Sequence, residues 1–129
     1  MKTKILLLIG VISSLTFLRC NQVNGQQTQS PTVYQQNLQK DTAAILVDVR
    51  TPEEYANGHL KNAININYYD ASFMKQMAAL SKDKTIYVYC RSGGRSGKAT
   101  QELTQAGYKV VDMAGGITAW ESNGLPVVK

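Results

Sequence analysis

The chain of 129 residues is poor in the residues that staple small proteins or hold metals: it has one histidine, His59, two cysteines, Cys20 and Cys90, three prolines and one tryptophan. A protein-bound zinc ion takes three or four nitrogen, sulfur or carboxylate ligands in a fixed geometry, so one His beside one Cys leaves no metal site expected. Cys20 follows an apolar amino-terminal stretch, which leaves Cys90 alone and excludes an intramolecular disulfide in a processed chain. An unpaired thiol in an exported protein points to a reactive site rather than a staple. Strong charge of one sign is missing too. The formal net charge of +5 includes Lys2, Lys4 and Arg19, and the remainder carries 11 basic against 9 acidic residues. That balance leaves no basic stripe, so no nucleic-acid partner is expected.

What is present begins with a leader. Met1-Lys2-Thr3-Lys4 is basic, Ile5 to Leu18 is apolar, and polar residues follow. This is the layout of a secretory signal, with an apolar part short for a membrane span. Residues 1–25 are expected to be an export signal, cut near 19/20 or near 25/26. In the first case Cys20 would carry a lipid, although Leu18 and Arg19 are poor neighbours for that processing; in the second, cleavage follows Val23-Asn24-Gly25. Either way the protein is expected outside the cytoplasm, in a periplasm, touching a membrane only through a lipid at Cys20. Residues 26–29 are polar and read as a linker. Residues 30–129 are enough for one domain with its own core, and no internal repeat is visible.

Within that domain, strand and helix patterns alternate. Ala44 to Val49 is an unbroken apolar run ending in the charged pair Asp48 and Arg50, as a buried parallel strand reads. Thr51-Pro52-Glu53-Glu54 opens a helix with a capping box. Ser30-Pro31 starts an earlier helix, whose inward face is expected from Val33, Tyr34, Asn37 and Leu38. Ala63 to Ile66 predicts a strand, Asp70 a cap for a helix carrying Phe73, Met77 and Leu80, and Lys109 to Met113 another buried strand. Trp120 is expected as a core anchor. Together these predict an α/β fold, a small parallel sheet with helices on both faces.

The stretch Tyr89-Cys90-Arg91-Ser92-Gly93-Gly94-Arg95-Ser96 joins the strand Thr85 to Tyr89 to a helix-compatible run from Gly97. Successive N–H groups in a glycine-containing turn converge on one point, and the following helix adds the positive end of its dipole. Gly93 and Gly94 are expected to supply the positive φ values, and Arg91 and Arg95 add full charges. All favour the thiolate at Cys90, which is the nucleophilic form. Four residues separate Cys90 from Arg95, one fewer than a tyrosine-phosphatase-type phosphate loop needs. A shorter ring of amides suits a smaller anion, such as the outer sulfur of a persulfide.

With Asp48 to Tyr55 followed by Gly58-His59-Leu60, the Tyr89 to Ser96 stretch, and Gly115-Gly116-Ile117-Thr118-Ala119-Trp120, the chain from about Ser30 to Lys129 resembles a single-domain rhodanese. The resemblance implies a sulfurtransferase with catalytic Cys90, whose thiolate takes the sulfane sulfur of a small anionic donor such as thiosulfate and passes it to cyanide or a thiol. It implies that residues Arg91, Ser92, Gly93, Gly94, Arg95 and Ser96 bind the persulfide, that Asp48 and Arg50 brace the loop from behind, and that His59 is structural. No cofactor is expected. Two rival expectations are phosphatase or arsenate reductase chemistry, which the short loop disfavours, and a non-turnover carrier that delivers persulfide to a partner protein.

Overall fold

Three apolar runs become the centre of one sheet in the computed structural model, which describes residues 26–129. The expected export signal, its two candidate cleavage positions and Cys20 lie outside the described residues. Five strands, β1 (Gln26–Gln29), β2 (Ile45–Asp48), β3 (Ile64–Asn65), β4 (Thr85–Tyr89) and β5 (Lys109–Met113), pair in parallel in the order β1-β5-β4-β2-β3. Among the described residues there are also five helices: α1 (Pro31–Lys40), α2 (Pro52–Ala56), α3 (Phe73–Met77), α4 (Gly94–Gln105) and α5 (Gly116–Ser122).

Because strand side chains alternate, β2, β4 and β5 feed two cores at once. On one face Val47, Val88 and Val110 pack with Phe73 and Met77 of α3 and Ala99 and Leu103 of α4. On the other, Leu46, Tyr87, Tyr89 and Val111 pack with Tyr34 of α1 and Ile117 and Trp120 of α5. Both faces are therefore covered, as the near-continuous apolar character of these strands predicts. Trp120 is buried and its indole N–H donates to the Pro126 carbonyl at 2.9 Å.

Several expectations are corrected. Residues 26–29 are not a linker: they form the edge strand β1, in register from Gln26 opposite Val110 to Gln29 opposite Met113. An edge strand needs only its backbone groups to pair, so glutamines carry it without an apolar signal. Val33 is 43% exposed, and α1 is held instead by fully buried Tyr34, whose hydroxyl donates to the Val88 carbonyl at 3.1 Å. β3 is only two residues long, because Ala63 and Ile66 turn into opposite cores while Ile64 stays exposed. Asp70 caps the turn before α3 rather than the helix, accepting from the amide and hydroxyl of Ser72. The helix after Cys90 starts at Gly94, three residues earlier than its composition suggested.

The carboxyl end of β2 carries a buried ion pair. Arg50 Nη2 lies 2.7 Å from Asp48 Oδ2, and its Nε donates to both carboxylate oxygens at 3.0 and 3.1 Å. The same Nη2 donates to the Gly58 carbonyl at 2.7 Å, which ties β2 to the end of α2. Neither side chain is more than 7% exposed. Removing one partner from such a pair strands a charge in low dielectric, so Arg50→Ala is expected to cost about 3–5 kcal/mol in urea unfolding, whereas replacing both residues by apolar ones of similar volume costs much less.

Candidate active site

The strand-to-helix joint at Cys90 is shorter than its sequence implies. Gly93, at φ +108°, is the left-handed residue that turns the chain, and Gly94 already belongs to the helix. The anion cradle is thus the unpaired first turn of α4 itself. Its contacts converge on the sulfur: the Gly93 amide donates to Cys90 Sγ at 3.1 Å and the Ser96 hydroxyl at 3.3 Å. Burial pushes the thiol up, but hydrogen bonds from the Ser96 hydroxyl and from the amides of Ser96, Gly93 and Ser92 outweigh it, and the thiol is held below its ordinary value. Ser96 is fully buried and Thr100 Oγ1 donates to its carbonyl at 2.7 Å, which fixes that turn.

The loop is closed from the side by α5. The Ile117 amide donates to the Cys90 carbonyl at 2.9 Å and the Thr118 amide to the Arg91 carbonyl at 3.1 Å. Gly116, at φ +61°, permits this approach, since a Cβ there would collide with the carbonyls of both Cys90 and Arg91. From behind, Val49 N–H donates to the Tyr89 carbonyl at 3.0 Å, and the Tyr89 hydroxyl accepts from the Leu60 amide at 3.0 Å. Arg50 lies over the Tyr89 ring, 5.7 Å from its centroid. Asp48 and Arg50 therefore support the strand end that precedes Cys90; none of their hydrogen bonds goes to residues 91–96.

The two loop arginines have different surroundings. Arg95 makes a two-pronged ion pair with Glu54 of α2, at 2.7 and 2.9 Å, and its guanidinium lies 5.3 Å from the Tyr69 ring centroid. Arg91 and Ser92 are exposed. Arg91 also lines an open cavity of about 600 Å³, with Arg50, Glu54, Asn57, Thr118 and Glu121. Cys90 does not line it. The residue is only 1% exposed, so the cleft lies beside the loop and the thiol beneath the turn. His59 stacks on Tyr55 with ring centroids 3.7 Å apart, and its backbone pairs with Val128.

Two polar groups at this site escaped the sequence reading. Glu54 was legible only as half of a capping box, which does form with Thr51; its second role needed the position of Arg95. Asp112 sits 6% exposed at the carboxyl end of β5, next to the start of α4. A charged residue inside the apolar run Val110 to Met113 was the available signal.

Residues 30–123 match the Rhodanese-like domain family. The chain belongs to the rhodanese family. It is 39% identical over 94 residues to a sulfurtransferase of Allochromatium vinosum, covering 72% of this chain and 86% of that protein. It is 43% identical over 91 residues to thiosulfate sulfurtransferase 16 of Arabidopsis thaliana, covering 62% of this chain and 76% of the relative. Among solved structures, a rhodanese-related protein of Thermoplasma volcanium superposes with a TM-score of 0.71 at 33% identity, over 79% of this chain and 97% of that one.

This rhodanese-family site yields two measurable consequences. Removing a hydrogen bond to a charged group costs about 1.5–3 kcal/mol, and a pKa unit is about 1.4 kcal/mol. Ser96→Ala should therefore move the midpoint of Cys90 alkylation by iodoacetamide upward by about one to two pH units. The Arg95 hydrogen bonds hold Glu54 down at about 2, against an ordinary value of 4.5. A depressed carboxylate stabilises the fold fully above its unfolded value and loses that contribution as pH falls through the folded one. Unfolding midpoints measured between pH 4.5 and 2 should thus fall more steeply for the native chain than for Glu54→Gln.

Proposed function

We propose that this protein is a sulfurtransferase that moves a sulfane sulfur from a small anionic donor such as thiosulfate, through a Cys90 persulfide, to a thiol or cyanide. One observation carries the reading: a buried, unpaired sulfur receives an amide and a hydroxyl hydrogen bond at a helix amino terminus, which favours its anion. In the first step the Cys90 thiolate attacks the outer sulfur of thiosulfate; the sulfur–sulfur bond of the donor breaks and its electron pair leaves with sulfite. The persulfide anion that remains falls within reach of the first-turn amides of α4, a preorganised stabilisation of developing charge. In the second step the acceptor attacks the outer sulfur and the Cys90 thiolate returns.

Arg91 is the loop cation suited to draw in the donor, since Arg95 is engaged by Glu54. The family membership supports sulfur transfer in general, and the relatives named as sulfurtransferases support it further. The four-residue interval from Cys90 to Arg95 argues against phosphate-ester hydrolysis. The amino-terminal leader supports export, with or without a lipid at Cys20.

Intact mass of the protein purified from cells, before and after thiosulfate, tests the proposal. The expected outcome is a processed chain that gains one sulfur atom at Cys90, releases stoichiometric sulfite and loses the sulfur again to cyanide. Absence of both the mass gain and sulfite would overturn the assignment, and a persulfide that forms but does not turn over would make the chain a sulfur carrier instead.

A further inference from the structure

The open cleft of about 600 Å³ between α2 and α5 lies beside the loop that carries Cys90, and the transfer of sulfur to cyanide gives it no task. Cavities of about 300–1,000 Å³ take ligands of many atoms. Cyanide, with two atoms, would leave this one almost empty. The most buried charge on its lining is Arg50, whose side chain is 7% exposed. Arg50 Nε and Nη2 are taken by Asp48 and by the Gly58 carbonyl, but Nη1 has no hydrogen-bond partner among the described residues. A guanidinium presents five N–H donors in a fixed fork, so the pair on Nη1 is left for whatever the cleft holds.

The other charges on the lining sort by whether they are already engaged. Both oxygens of Glu54 accept from Arg95, so this carboxylate is occupied. Arg91 and Glu121 are exposed and belong to neither ion pair found among the described residues. The cleft thus offers two guanidinium groups with free donors and one free carboxylate. That set matches a ligand carrying a carboxylate and an ammonium group together.

We propose that the cleft is the acceptor subsite and that it takes a short peptide thiol, with the carboxylate on Arg50 Nη1 and Arg91 and the ammonium on Glu121. The proposal rests on the sulfur-transfer reading and narrows its acceptor to a thiol of this class. Ile117 marks the end of the cleft beside the nucleophile, since its amide donates to the Cys90 carbonyl. At 1.5 Å of rise per residue, Glu121 lies about 6 Å further along α5. An extended chain covers about 3.3–3.6 Å per residue, so a dipeptide spans that distance and a single amino acid does not. Arg91 is not contested, because sulfite has left before the acceptor arrives. The acceptor loses its thiol proton to water and its thiolate attacks the outer sulfur of the Cys90 persulfide. The bond from that sulfur to Cys90 breaks, its electron pair returns to Cys90 as thiolate, and the peptide leaves as a persulfide.

The test uses alanyl-cysteine, its carboxy-terminal amide and its N-acetyl form, each also S-methylated so that it binds but accepts no sulfur. With the protein purified from cells, the S-methyl dipeptide should bind about tenfold or more tightly than its amide or N-acetyl form, since each of these lacks one charge-assisted contact. It should shift the Arg50 Nη and Thr118 amide resonances and inhibit sulfur transfer competitively against alanyl-cysteine. Glu121→Gln should remove the preference over the N-acetyl form and keep the preference over the amide; Arg91→Ala should weaken the latter. Reading Arg50 by its resonance avoids Arg50→Ala, which is expected to destabilise the fold. Equal binding of the three forms, unmoved Arg50 and Thr118 resonances, or binding without competition would each overturn the proposal. If Cys90 forms no persulfide, the sulfur-transfer reading fails on its own assay, while the S-methyl titration still decides whether the cleft recognises the peptide.

Discussion

The contact between the buried Cys90 sulfur and the open first turn of α4 is the interaction around which the rest is arranged. An exposed thiolate needs no help, because water solvates it; one buried to 1% exposure must find that solvation in the protein. The helix amino terminus provides it with groups that have no competing partner, since the first N–H groups of a helix lack intrahelical acceptors. That is why the turn is short and why it begins at a single left-handed glycine, Gly93, with no longer loop. Each added loop residue would carry the amides away from the sulfur.

Holding that turn against the end of β4 takes structure on two sides. On one side, α5 brings its first amides onto the carbonyls of Cys90 and Arg91, an approach that only a glycine at position 116 allows. On the other, the Asp48–Arg50 pair joins β2 to the chain after α2, and the Tyr89 hydroxyl joins β4 to Leu60. The parallel order β1-β5-β4-β2-β3 puts β4 in the middle, so Cys90 leaves the sheet at its most supported strand. In open α/β sheets such carboxyl edges are where ligands bind.

Charge around the turn is sorted by geometry. Glu54 neutralises Arg95 and lays it along the Tyr69 ring, whereas Arg91 faces the cleft between α2 and α5. The cleft therefore carries exposed positive charge beside, not above, the sulfur. Asp112 is a buried carboxyl group at the interface between β5 and α4 and belongs to neither ion pair found among the described residues.

The sequence by itself determined the layers and the position of the site: apolar runs of strand length, capping signals such as Thr51 with Glu54, and a cysteine set between a buried strand and a glycine turn are local features, and local sterics and burial act on them directly. It could not show that residues 26–29 pair as an edge strand, because that pairing uses backbone groups every residue has. Nor could it separate Arg91 from Arg95, since Glu54 lies 41 residues from Arg95 in the chain. Those choices belong to the tertiary structure for one physical reason. The strength of a charge or hydrogen bond depends on which distant groups share its few ångströms of low-dielectric space, and only the folded sheet brings them there.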